Sequence, residues 1–148
     1  MHKLTEEAFE KDLMQECKDK LGFELFDTTY EIVGSDNSTF GRQTTEEVIL
    51  PKVLRSALFK LNPDLPQEAI DNAYYELTQN LSNKTSVAAN KFIYEMLKNG
   101  VKVQFKDNNG IDTEDIVRVL DFNKSDNNEF LLIRQFKISS NITIAGRI

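Results

Sequence analysis

Two carboxylates one helical turn apart, Glu6 and Glu10, are the residues of this chain most suggestive of chemistry. They lie in a helical pattern running from about residue 5 to 21, with Gly22 placed as its C-cap. Taking about 100° per residue and Phe9 as origin, Leu13, Met14, Cys17 and Leu21 fall between about 40° and 140°. Glu6 falls at about 60° and Glu10 at about 100°, inside that apolar stripe. Like charges one turn apart on a core-facing side repel and lose hydration unless something compensates. A cation would offset both penalties, which places Glu6 and Glu10 beside a metal-dependent active site. In the plainer reading, Glu6 is stabilised by the free N–H groups of the first turn while Glu10 snorkels from the stripe's edge. Both readings stand on the sequence alone.

Other reactive residue types offer less. Cys17 lies on the stripe and reads as inert packing. His2 is the only histidine and sits at a terminus, which excludes a histidine-based triad or zinc site within the chain. Gly34 and Gly41 frame a loop without the spacing of a phosphate cradle. Arg134, Lys137 and Arg147 are the cations placed to touch DNA phosphates, against the plainer reading of solvated charges.

The elements that must position these residues read as helices first and an antiparallel sheet last, an α+β arrangement in a single domain spanning 1–148. After an extended segment at 23–33 comes a polar loop at 34–42, expected to be flexible. A second helix occupies 45–61, its start open between Thr44 or Thr45 and Pro51. A third runs from Pro66, with Asp64 as a possible N-cap, to about Leu81, and a fourth covers about 86–98. Strands are expected at 101–106, 115–122 and 129–138, the first two joined by the turn signal Asn108-Asn109-Gly110.

Composition bounds the rest. At 148 residues and 40% hydrophobic, the chain can bury one core. A single cysteine allows no disulfide framework, no apolar signal segment opens the chain, and no run approaches membrane-spanning length. A cytoplasmic setting without a membrane partner is expected. The net charge of −6 opposes contact with phosphates, so the chain alone should bind DNA weakly.

Four segments in order carry a family resemblance. Thr5-Glu6-Glu7-Ala8-Phe9-Glu10 opens the chain, and Leu61-Asn62-Pro63-Asp64-Leu65-Pro66 links two helices. Asn90-Lys91-Phe92 leads to Gly100-Val101-Lys102-Val103, and Asn127-Asn128-Glu129-Phe130 leads to Arg134-Gln135-Phe136-Lys137-Ile138. Together they resemble the amino-terminal region of type I restriction enzyme R subunits. The resemblance implies a PD-(D/E)xK nuclease followed by an ATP-driven translocase, acting on DNA with modification and specificity subunits. It implies Mg²⁺ and ATP as cofactors of the parent protein, with none expected for this chain. In that family the catalytic Asp and Glu-x-Lys follow the Gln-Phe strand, so the chain reads as an inactive piece cut before its catalytic core. Glu6, and less firmly Glu10, would border the active site.

A competing reading is a non-catalytic docking or regulatory module that holds other subunits through Tyr74, Tyr75 and Phe92. Under the truncation reading, the apolar strand at 130–138 pairs with the one at 115–122 and leaves its other edge open to self-association.

Overall fold

The computed structural model describes residues 5–36, 38–107 and 109–139. The chain forms two compact units, one made of Met1–Leu50 with Glu129–Ile148 and the other of Pro51–Asn128. Helices and small sheets are mixed, as an α+β arrangement requires, but the strands do not join one antiparallel sheet.

In the first unit, α1 spans Glu6–Leu21. Thr5 caps it by accepting a hydrogen bond from Ala8 N at 3.3 Å, and Glu6 and Glu7 face the positive end of the helix dipole. Gly22, at φ 70°, closes it in the left-handed conformation that a side chain would oppose. The expected core-facing stripe is corrected here. No residue of α1 is buried, and Phe9, Leu13 and Leu21 are exposed. The half-buried positions are Glu10, Met14 and Cys17, so the packed face is centred on Glu10 and Cys17 is only half covered.

Strand β1, Glu24–Asp27, pairs in parallel with β4, Leu131–Arg134. The expected strand at 129–138, paired with 115–122, is therefore replaced by a shorter one with a different partner. Two local causes act together. Gln135 adopts φ 57°, which ends the extended run, and Leu25 and Phe26 lie in register with Leu132 and Ile133. Phe23 and Phe130 stack with ring centroids 5.8 Å apart just before the pairing begins.

The loop expected at 34–42 contributes buried side chains. Phe40 lies edge-on to Phe26, and Arg42 is fully buried. Arg42 Nη2 meets Glu31 Oε2 at 2.7 Å, while Nη1 donates to the carbonyls of Lys137 at 2.9 Å and Glu47 at 3.2 Å. Its guanidinium lies 3.9 Å from the centre of the Phe136 ring. This buried ion pair ties the 31–47 segment to the chain leaving β4.

In the second unit, α2 (Pro51–Leu61) begins at its proline, whose missing N–H costs nothing in a first turn. Helix α3 covers Gln67–Thr78; Pro66, rather than Asp64, occupies the cap position and makes no side-chain cap bond. Helix α4, Ser86–Asn99, is capped by Thr85. Strands β2 (Val101–Lys106) and β3 (Asp112–Val117) form an antiparallel hairpin. The second strand starts earlier than expected because Asp107 closes the turn. Its N–H donates to Ile111 O, and its Oδ1 accepts from Asn109 N and Ile111 N, which aligns Lys106 with Asp112.

Val101, Val103 and Phe105 alternate inward from β2 onto Leu58, Ile70, Ala73 and Leu77. Asn62 fastens this core. Its amide donates to Leu58 O and Arg118 O and accepts from Arg118 N, each at 2.8 Å, tying the end of α2 to the chain beyond β3.

The Glu31–Arg42 pair gives a direct test of the first unit. Glu31→Gln should lower stability by about 3–5 kcal/mol, because it strands a buried guanidinium. Replacing both partners, Glu31→Leu with Arg42→Met, should cost much less. Urea unfolding of the two variants measures the difference.

Candidate functional site

The last residue of β4 gathers three acids of the first unit. Arg134 is opposite Asp27 in the parallel register, and its side chain is only 12% exposed. Nε lies 3.1 Å from Glu10 Oε2, Nη1 3.6 Å from Asp27 Oδ2, and Nη2 3.9 Å from Glu7 Oε1. The Nε–H points off the hydrogen-bond direction, so its contact with Glu10 is an ion pair alone. Gln135 Nε2 then donates to Glu10 at 3.3 Å from each carboxylate oxygen. Three carboxylates thus surround one cation, and Lys11, 2.8 Å from Glu7, offsets a second charge.

The backbone is held as closely as the side chains. Thr28 N and Oγ1 both donate to Arg134 O, at 3.1 and 2.8 Å, which extends the β1 pairing by one residue. Thr29 donates to Asp27 Oδ1 from its N–H at 3.0 Å and its hydroxyl at 2.5 Å, an Asx-type turn that fixes the Asp27 carboxylate. These Thr29 bonds, helped by Arg134, hold the Asp27 carboxyl below its usual range. Glu7 is lowered as well, first by its bond to Lys11 and then by the charges of Lys11 and Arg134.

Of the acids singled out by sequence, Glu10 is half-buried against Arg134 and Gln135, whereas Glu6 is exposed at the start of α1. Of the cations, Arg134 is engaged by carboxylates. Lys137 is exposed, and its carbonyl accepts from Arg42. Arg147 and His2 lie outside the described residues. Sequence reasoning missed Glu7, Asp27 and Gln135. Asp27 carried a readable signal in Asp27-Thr28-Thr29, but nothing local pointed to Arg134, more than a hundred residues away. Among the described residues, no group of three His, Cys, Asp or Glu side chains is arranged to hold a metal ion. No helix among them is long and apolar enough to cross a membrane.

The second unit holds a closed polar turn. Asp121 Oδ1 accepts from Asn123 N at 3.0 Å and Lys124 N at 3.1 Å, while Oδ2 accepts from Asn127 Nδ2 at 2.8 Å. Asn128 completes it by accepting from Asp121 N and donating to Asp121 O, both at 2.8 Å. Of the aromatic residues proposed as a docking surface, Tyr74 packs on the core with the Arg55 guanidinium 3.8 Å over its ring. Phe92 also packs on the core, and Tyr75 is 69% exposed.

The Asn127-Asn128 turn and the Arg134-Gln135 strand end thus have structural roles in segments that a known family shares. Residues 3–146 match the family described as type I restriction enzyme R protein N terminus, and the chain belongs to that family. It is 34% identical over 101 residues to the type I restriction enzyme HindI endonuclease subunit of Haemophilus influenzae, covering 68% of this chain and 9% of that protein. It is 35% identical over 97 residues to the provisionally named MjaIXP endonuclease subunit of a type I restriction enzyme in Methanocaldococcus jannaschii, covering 66% of this chain and 9% of that protein. The chain therefore spans about a tenth of the length of these relatives. No solved structure matches it.

The lowered acids set the sign of a pH dependence. A carboxyl whose folded pKa lies below its unfolded value, about 4 for Asp or Glu, contributes stability above that value. The contribution is lost as pH falls through the folded pKa. The thermal stability of the first unit should therefore fall as pH drops below about 4. Asp27→Asn should make that acid dependence shallower, as read from the melting temperature between neutral and acid pH.

Proposed function

We propose that this chain is the amino-terminal part of the nuclease region of a DNA-cleaving, ATP-dependent R subunit. That subunit would work in the cytoplasm with the modification and specificity subunits of a type I restriction–modification enzyme. The family match over residues 3–146 carries the reading. The convergence of Glu10, Arg134 and Gln135, on segments that share the family's pattern, supports it.

Phosphodiester hydrolysis by such an enzyme needs a metal ion to stabilise charge on the phosphate and to activate water. The residues of this chain do not fit that group. Glu7, Glu10 and Asp27 are committed to Arg134, with Lys11 on Glu7. Mg²⁺ and ATP would be cofactors of the whole R subunit. The part played by this chain is positional. Helix α1 brings Glu10 against the end of β4 at the border of the nuclease site, with Glu6 further out. Lys137 remains exposed for contact with phosphate.

A docking or regulatory module is the second reading, and the exposed ring of Tyr75 is the observation that favours it. The two separate in the whole protein. Cleavage of DNA carrying the recognition site, with ATP, Mg²⁺ and the other subunits, supports the nuclease. Subunit binding without cleavage supports the module. The 148-residue chain incubated with plasmid and Mg²⁺ should leave the plasmid supercoiled. Cutting that coelutes with the pure chain would contradict the assignment of catalysis to the rest of the subunit.

A further inference from the structure

Gln135 is the one non-glycine with positive φ among the described residues, at 57°. Few residues other than glycine adopt that conformation, and Asn does so more readily than Gln. The backbone reason for the bend is visible. Leaving β4 this way sets Phe136 under the Arg42 guanidinium and Lys137 O against its Nη1. The bend explains the conformation but not the residue, since Gly or Asn would turn the chain with less strain. Gln differs from both in reach, and its amide spans to both oxygens of Glu10. Those bonds are exposed and long, so stability gives little reason for them. A strained residue aimed at one carboxylate is the pattern of a side chain kept for placement.

We infer that Gln135 is a positioning residue, which with Arg134 fixes the direction of the Glu10 carboxylate at the border of the nuclease site. The inference rests on the nuclease reading above. Arg134 holds one side of Glu10 by charge, and Gln135 fixes its rotation by meeting both oxygens. Asn at this position would keep the bend and lose the reach.

The test uses Gln135→Asn, Gln135→Gly and Glu10→Gln in the whole R subunit, assembled with its partner subunits and supplied with ATP and Mg²⁺. Gln135→Asn should lower cleavage at saturating DNA by about tenfold to a hundredfold, the scale of a small misplacement in an active site. The half-saturating DNA concentration and ATP hydrolysis should not change. Glu10→Gln should give a similar loss, and Gln135→Asn combined with Glu10→Gln should lose no more than either alone. In the 148-residue chain, Gln135→Asn should leave the melting temperature unchanged or raised. The Gln135 side-chain amide signals should shift when Glu10 becomes Gln. Wild-type cleavage by Gln135→Asn, or a loss that follows lost thermal stability, would overturn the inference. So would amide signals indifferent to Glu10→Gln, whatever the activity shows. An unmutated R subunit that does not cleave would instead overturn the nuclease reading.

Discussion

The largely covered guanidinium of Arg134 organises the acidic face of the first unit. Arg134 ends a four-residue strand, and three carboxylates from two other elements reach it. Remove that charge and α1 has little to hold it. None of its residues is buried, and three of its large apolar side chains are exposed. Half-buried Met14 and Cys17 give some apolar contact, but Glu10 at the centre of that face costs desolvation unless Arg134 answers it.

The second constraint is the path of the chain beyond Arg134. A two-stranded parallel pair is a weak element by itself, since parallel strands are usually covered and flanked. Here its end is secured by Thr28 bonding to Arg134 O and by Arg42 gripping the carbonyl of Lys137. The left-handed turn at Gln135 joins those two anchors. One bend therefore serves both the buried Arg42–Glu31 pair and the exposed contact with Glu10.

Much of the second unit could be read from sequence because its signals are local. The fourth helix falls where it was expected, the second starts at Pro51, one of the places left open for it, and Val101, Val103 and Phe105 alternate as a half-buried strand does. The first unit resisted for the opposite reason. The partner of the 131–134 strand lies at 24–27, and an apolar run does not state which strand it will join. Helix α1 misled because only part of its apolar stripe is packed. The stripe includes Phe9 and Leu13, while the packed face is set by the charge on Arg134. The resemblance supplied the family, and composition did not. Net charge argued only against DNA affinity in this segment.

Arg134 is the tie between α1 and the strand pair. Amide hydrogen exchange of the chain carrying Arg134→Met, compared with the unmutated chain, tests it most directly. Protection along Glu6–Leu21 should fall sharply, while the Val101–Lys106 and Asp112–Val117 hairpin exchanges as before. Unchanged protection in α1 would show that the helix does not depend on this guanidinium and would contradict its role as the tie.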